Sequence, residues 1–556
     1  MNVQLATTWK DDLEMAATVS CFKVGESEKF IVLPSHEVRL TNTAEVLFPL
    51  IAARKQMFVR GGRIIELVPN DNNEIVLSVL ASNAARSRFE KYGHFARWVK
   101  HESSGEWALK PVAIMSRDLA DALLETEQAL ACLPKISGLI NCPVCVAMSE
   151  GESRVIADGY DDATGLFITG GQTPPEVRVA DAIRAIMDLL ADFDFPSPGD
   201  QSRAVASLLT PALKLGGHLR GFVPADVAEA DQSQSGKTYR QKIVAALYNE
   251  RLSLVSCKSG GVGSIDETLD QRLVAGRPFI QFDNFRGKFD SPHLEAFLTC
   301  ESGFSARVPY RGSIDIDPSR FFIFLTSNGV DLRPDMANRC NLIAIRKRPR
   351  EFQFRTFPES GGTADALDHL RAQQPYYLGC VFAVVREWLR RGKQRTTETR
   401  HDMREWCQTL DWIVTNIFEL APLMDGHQEM QARVSTPALV FLRQICIAAG
   451  MTGRLGQSLR AGQLHELCVE GDVEIPGVSA DRRLDEEHGR KIIGAKLADI
   501  FKRVGGGSDS IAIAGFCVQR STTSIARTDQ KGSYPSHSYL ITRDDEKPSV
   551  FPTLTQ

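Results

Sequence analysis

The chain has 556 residues, 43% of them hydrophobic and 24% charged, a globular composition that excludes a wholly disordered or fibrous protein. One hydrophobic core does not serve a chain of that length, so three or four domains are expected. A formal net charge of −4 excludes a globally basic nucleic-acid binder and leaves any such surface to local patches.

The opening stretch MNVQLATTWKDDLEMAATVS lacks the basic-then-apolar order of a secretory leader, and no apolar run approaches the length that spans a bilayer. A cytoplasmic protein without a membrane partner is expected. Residues 1–195 alternate short apolar runs (KFIVLP, MFVRGGRIIELV, EIVLSVL) with helical patches such as SRDLADALLETEQAL, which predicts a mixed α/β domain. IADGYDDATGLFITGG predicts two strands joined by an Asp/Gly turn, and Asp158, Asp161 and Asp162 read as turn chemistry. A polymerase-type metal site would need its carboxylates on a strand. Cys142 and Cys145 form a single CxxC among twelve cysteines; with no second pair nearby they read as reduced, and neither a disulfide nor a structural metal is expected. FDFPSPGDQS, at 193–202, marks a domain boundary.

Beyond it, DQSQSGKTYRQKIVAALYNE (231–250) carries Gly236, Lys237 and Thr238, the second half of a phosphate-cradling loop. The full pattern asks for Gly, four residues, then Gly-Lys-Ser/Thr, because bare backbone N–H groups must approach the phosphates closely. Asp231 stands where the first Gly belongs. Ser233, Gln234 and Ser235 complete the loop; Lys237 would reach the outer phosphates and Thr238 would hold a magnesium ion. Ile243, Val244, Ala246 and Leu247 recur at helical spacing, so the loop is expected to open onto a helix N-terminus, which favours anions. An ordinary loop that contains this tetrapeptide is the competing reading.

A P-loop ATPase also needs an acid at the end of a buried strand, opposite the loop threonine. In GRPFIQFDNF, Pro278 to Phe282 predict a short core strand ended by Asp283 and Asn284, with Asp283 lying 45 residues after Thr238. The next apolar run, RFFIFLTSNGV, ends in Asn328, again 45 residues on, where a polar side chain can orient a water or contact a γ-phosphate. Eleven residues further, Arg339 in DMANRCNLIAI precedes another apolar strand. Singly, Asp283 is a turn, Asn328 a turn with Gly329 and Arg339 a surface charge; in series they are strand ends at ATPase spacing.

Between these runs, SARVPYRGSIDID sets Arg307, Tyr310 and Arg311 around a Pro/Gly turn, cations for phosphates and an aromatic on which a base can stack. A plain surface hairpin is the alternative. Residues 386–406 hold seven Arg or Lys, either a face for DNA or a neighbouring subunit or a solvated helical surface. HGRKIIGAKLADIFKRV, IAIAGFCVQR and SHSYLITR read as helix, strand, basic loop and strand, the order of a winged helix with RTDQKGSYPSH as its wing. Lys496, Lys502, Arg503, Arg527 and Lys531 are its phosphate-contact candidates.

Residues 196–348 resemble the AAA+ core of superfamily-three-type replicative helicases, especially those in primase–helicase proteins of phages, plasmids and integrated elements, through FDNF, HLEAFLTCESGF, LTSNG and ANRC. The resemblance implies that Lys237 and Thr238 are the Walker A pair, Asp283 the Walker B acid, Asn328 sensor one, and Arg339 an arginine finger reaching the ATP of a neighbouring subunit. It further implies ATP and Mg2+ as cofactors, with Thr238 and Asp283 holding the metal. By position, the 307–311 hairpin would project into the pore of a homo-oligomeric ring, a hexamer, and grip one DNA strand. Two departures stand out. Asp231 replaces the first loop Gly, and Asn284 replaces the usual catalytic Glu and cannot take a proton from water. Either hydrolysis is slow or another acid serves: Glu267 in SIDETLDQRL first, then Glu295 and Glu301, each of which also reads as surface helix charge.

The expected architecture is multidomain α/β: an N-terminal mixed α/β domain (1–195), an AAA+ P-loop ATPase core (196–365), an arginine-rich helical segment (366–440) and a winged-helix-like domain (441–556). The expected function is an ATP-dependent motor on single-stranded DNA from a mobile genetic element, working as a helicase in DNA replication. No primase site is visible in 1–195, so a separate primase or replication protein is an expected partner. Two rivals are a nucleic-acid-stimulated ATPase switch in phage defence or replication control, and a DNA-binding initiator whose ATP site is structural.

Overall fold

The structure is a computed structural model and describes residues 30–148, 152–230, 234–255, 258, 263–289, 291–301, 303–308, 312–332, 334–357, 365–434, 437–473, 475, 486–503, 509–513, 515–526 and 533–543. The chain is mixed α/β, with several small sheets around a five-stranded parallel one. Among the described residues, no helix is long and apolar enough to cross a membrane.

The N-terminal part holds two three-stranded sheets over one apolar core that includes Leu47, Phe48, Phe89 and Leu123. One sheet is a meander of Met57–Arg60, Arg63–Pro69 and Ile75–Val79. Its first turn is Gly61-Gly62, with φ of 50° and 73°, the left-handed pair that a two-residue hairpin requires. Any side chain at Gly61 would also meet the backbone of Asp315 at 2.4 Å. The turn is therefore pressed against a hairpin of the next region. The predicted Asp/Gly turn joins Gly159–Asp161 to Leu166–Ile168 antiparallel, and Asp161 accepts from the backbone N–H and the hydroxyl of Thr164, both at 2.9 Å. Cys142 and Cys145 are unbridged and buried.

Helix α1 (Pro198–Leu215) starts in the predicted boundary, where Ser197 and Asp200 form a reciprocal cap and Pro198 takes the first turn. It is buried nearly all round, which makes it a central strut of the fold. The parallel sheet follows: β1 (Ala225–Glu229), β2 (Ser253–Val255), β3 (Phe279–Phe289), β4 (Phe322–Leu332) and β5 (Cys340–Ala344), in the spatial order β2-β3-β4-β1-β5. Strands buried on both faces read as continuous apolar runs, which is how FIQF, FFIFL and NLIA appear in the sequence. Helices α2 (Lys237–Leu247), α3 (Ile265–Ala275) and α4 (Pro292–Thr299) connect the strands. Between α4 and β4, Phe304–Val308 and Gly312–Ile316 pair antiparallel as a hairpin.

The expected ends of β3 at Asp283 and of β4 at Asn328 differ from what forms. Both strands continue, pairing Gly287 with Val330 and Phe289 with Leu332, after a register shift between Phe282 and Phe285. A polar residue usually marks a strand end; here it marks a bulge, which inserts a residue and re-aims its side chain without ending the pairing.

Helices α5 (Gln374–Arg390) and α6 (Arg404–Asn416) pack in the same apolar cluster as α1 and α2, through Trp388, Trp406 and Leu410. The C-terminal part has its own core. Helices α7 (Pro437–Met451), α8 (Ala461–Glu470) and α9 (Glu486–Arg503) lie on a four-stranded antiparallel sheet ordered Ser458–Arg460, Ser533–Arg543, Phe516–Ala526, Ser510–Ile513.

Candidate functional site

The C-terminal end of β1 lies beside Ser327 in β4, and Ser327 in turn pairs with β3 at its bulge, so residues far apart in sequence meet there. β1 runs into the loop before α2. Residues Asp231 and Ser233 lie outside the described part; from Gln234 onward the loop is defined. Gln234 and Gly236 have φ of 62° and 90°. Left-handed residues alternating with right-handed ones turn successive N–H groups to one side, a concavity suited to an anion. Gly236 is needed twice over, because a Cβ there would stand 3.2 Å from the ring of Phe193. Lys237 opens α2, is 7% exposed, and donates from Nζ to Ser235 Oγ at 3.3 Å.

Polar groups inside the sheet hold α2 in place. Gln241 Nε2 donates to Asp226 Oδ1 at 3.1 Å and to the Leu325 carbonyl at 3.1 Å, and Gln281 Nε2 donates to Gln241 Oε1 at 2.8 Å. Arg240 pairs with Asp226 as well. One helical turn after Lys237 is thus bonded to β1, β3 and β4, and the loop inherits that rigidity.

Asp283 sits in the bulge of β3 and accepts two hydroxyls on Oδ1: Thr238 at 2.9 Å and Thr326 of β4 at 2.6 Å. Thr238 and Asp283, each expected as a holder of Mg2+, are thus hydrogen-bonded to each other. A hydroxyl and a carboxylate converging beside an anion-binding loop are the hard oxygen donors that suit Mg2+. The backbones of Asn284 and Asn328 continue their strands, while their side chains lie outside the described part.

Arg339 lies at the other end of the sheet. Its carbonyl accepts from the Ala225 N–H at 3.0 Å, where β1 begins, and its NH1 donates to the Glu295 carbonyl at 3.4 Å. At about 3.3 Å per residue, the length of β1 puts it roughly 15 Å from the loop of its own chain. Ser264 caps α3 by accepting from the Glu267 N–H at 3.4 Å, and the Glu267 carboxylate accepts from the Gly263 N–H at 2.6 Å.

Burial shapes the titration of the surrounding groups. Glu250 is pushed up to about 7 by burial, against the pull of Arg277, and its Oε1 accepts from the Asn141 N–H at 2.8 Å and from Arg277 at 3.1 Å. Burial raises Tyr239, next to Thr238, to about 12, and its hydroxyl accepts from the Leu367 N–H at 2.9 Å.

Of the DNA-contact candidates, Arg307 is exposed on the hairpin, with its N–H donating to Asp270 Oδ2 at 3.0 Å. Tyr310 and Arg311 lie outside the described residues, as do Arg527, Lys531 and the side chain of Arg503. Lys496 and Lys502 are exposed on α9. Much of the basic charge at 386–406 meets acids of the same stretch: Arg390 and Arg391 with Glu387, Arg395 with Glu405, and Arg400 with Glu398.

Sequence reasoning missed Thr326, Gln281 and the buried ion pair of Glu229 with Arg443, at 3.0 Å. The available signal was polarity in the wrong place: a Gln within FIQF, a Thr within FLTS and a Glu closing ADVAE, each in an otherwise apolar run.

No protein-family model matches this chain, and no curated protein matches it. Among solved structures, the chain is similar to "SCCmec type IV Cch - active helicase", with a TM-score of 0.30 and 12% identity, over 87% of this chain and 91% of that one. So loose a likeness leaves the function to be argued from the site itself.

Proposed function

We propose that this chain is an ATP-driven motor on single-stranded DNA, with the parallel sheet as an AAA+ P-loop core and the C-terminal part as a winged helix. The observation that carries the reading is the meeting of Thr238, next to Lys237 at the start of α2, with Asp283 of β3 and Thr326 of β4, in a sheet whose first strand lies between its fourth and fifth. The left-handed loop binds the phosphates through its N–H groups and the α2 N-terminus. Lys237 draws charge from the outer phosphates and Thr238 with Asp283 would hold Mg2+, which when bound neutralises charge on the transferring phosphoryl group. Asn328 orients the attacking water. Arg339, remote from its own loop, serves the site of a neighbour in a hexameric ring, and the 304–316 hairpin faces the channel where DNA passes. A mobile-element replication setting and a separate primase partner belong to the same reading.

Lys237→Ala removes the charge on the outer phosphates, so the folded variant is expected to have no ATPase activity and greatly weakened nucleotide binding. Normal turnover in that variant overturns the assignment.

A second reading, an ATP-gated switch without unwinding, is favoured by Asn284 beside Asp283 and by the Glu267 carboxylate being engaged by the Gly263 N–H. Strand displacement on a forked duplex separates them: a motor opens the fork with ATP, and a switch hydrolyses without opening it.

A further inference from the structure

Glu229 is the last residue of β1, directly before the loop. Its side chain is 0% exposed, and its carboxylate accepts from Arg443, itself 4% exposed, at 3.0 Å. Arg443 comes from another part of the molecule. It lies on α7, whose Phe441, Leu442, Ile445 and Cys446 belong to the C-terminal core with Leu464, Ile493 and Val518. The ion pair therefore crosses from the C-terminal module to the root of the candidate phosphate loop. A buried carboxylate there repels an incoming polyanion through a medium that screens poorly, unless a cation neutralises it.

We infer that the C-terminal module completes the nucleotide site of its own chain, with Arg443 as a positioning residue that neutralises Glu229, so that docking of this module and binding of Mg·ATP favour each other. The inference rests on the loop being the nucleotide site. Linkage requires reciprocity: whatever loosens α7 weakens ATP binding, and ATP tightens α7. DNA held by the C-terminal module would thereby regulate the ATP site through Arg443.

The test is Mg·ATP binding by titration calorimetry to the full chain, its Arg443→Met and Glu229→Gln variants and the double variant, each checked by circular dichroism and thermal melting. Arg443→Met is expected to weaken binding roughly tenfold, Glu229→Gln to bind at least as well as the unaltered chain, and the double variant to return within about twofold of it, because neither position then carries a charge. A double variant as weak as Arg443→Met overturns the inference, since Arg443 then touches the nucleotide or serves packing alone. Wild-type binding by Arg443→Met also overturns it. If Arg443→Met does not fold, the double variant is compared with the unaltered chain, and binding weakened about tenfold overturns the inference. Mg·ATP should also slow hydrogen exchange in α7 of the unaltered chain and leave it unchanged in the double variant; equal slowing in both counts against the coupling. Failure of the unaltered chain to bind Mg·ATP at all is a different result, and it removes the nucleotide assignment itself.

Discussion

Thr326 donates the shorter of the two hydroxyl bonds to Asp283, and it does so from a neighbouring strand, so it fixes the carboxylate from β4 while Thr238 holds it from α2. Partners that orient a metal-holding carboxylate commonly matter about 10–100-fold in metal affinity or activity. Thr326→Val keeps the branched shape and loses the bond. The expected result is a rise of about tenfold in the Mg2+ concentration that half-saturates ATPase activity, with the fold unchanged in its circular dichroism. An unchanged Mg2+ curve would show that Asp283 is held without it. Buried imidazoles give the molecule a pH limit. His401 Nε2 donates to the Cys340 carbonyl at 3.3 Å, and His427 Nε2 lies 3.1 Å from the same oxygen and 3.3 Å from the Leu342 nitrogen. Burial lowers His401 to about 4 and His427 well below its ordinary value. A folded-state value below the unfolded one means that the unfolded chain binds the extra proton, so this stability is complete above 6.5 and is lost as pH falls from there toward 4. His401 alone accounts for about 3 kcal/mol of it. Replacing His401 with Gln, a neutral donor, should flatten the fall of melting temperature between pH 6.5 and 4; an unaltered slope refutes the assignment.

At the scale of elements, the loop, its helix and the Asp283 strand were legible because each is local: Gly236 to Leu247 carries its own spacing, and FIQFD its own apolar run. What was hidden depends on strand order. Thr326 reaches Asp283 only because β4 lies beside β3, and Arg443 reaches Glu229 across a separation of 214 residues, which no local pattern encodes. The bulge was hidden for another reason: Asp283 and Asn284 look like a strand terminus, and only the continued pairing to Phe289 distinguishes an interruption from an end. A hairpin was expected from the Pro/Gly turn and from its position between the two core strands, and Phe304–Val308 and Gly312–Ile316 form it. Replacing Tyr310 and Arg311 at its tip with Ala should leave basal ATPase activity intact and remove most stimulation by single-stranded DNA. Loss of the stacking surface should weaken DNA binding by roughly 1–3 kcal/mol and loss of the phosphate contact should make its salt dependence shallower. A variant that binds and responds as before would move the contact to α9 and the strands beside it.

At the scale of the whole molecule, activity is expected to be a property of assemblies. Arg339→Ala should leave ATP binding nearly intact and cut turnover by about a thousandfold, as for a finger acting on a neighbour. Mixing it with Lys237→Ala protein should restore some activity, because an interface can then pair an intact loop with an intact finger. Absence of both the loss and the rescue would reduce Arg339 to a strand-end charge. The hydrogen bond from the Ala225 N–H to the Arg339 carbonyl then takes on a mechanical meaning. On the proposed reading, the group that would serve a neighbour and the loop that would receive such a group are fastened to opposite tips of one strand pair, β1 with β5. If the strand pair moves as one piece, a shift at one tip would reappear at the other, and in the proposed ring hydrolysis events would then pass round the circle in order rather than fire independently.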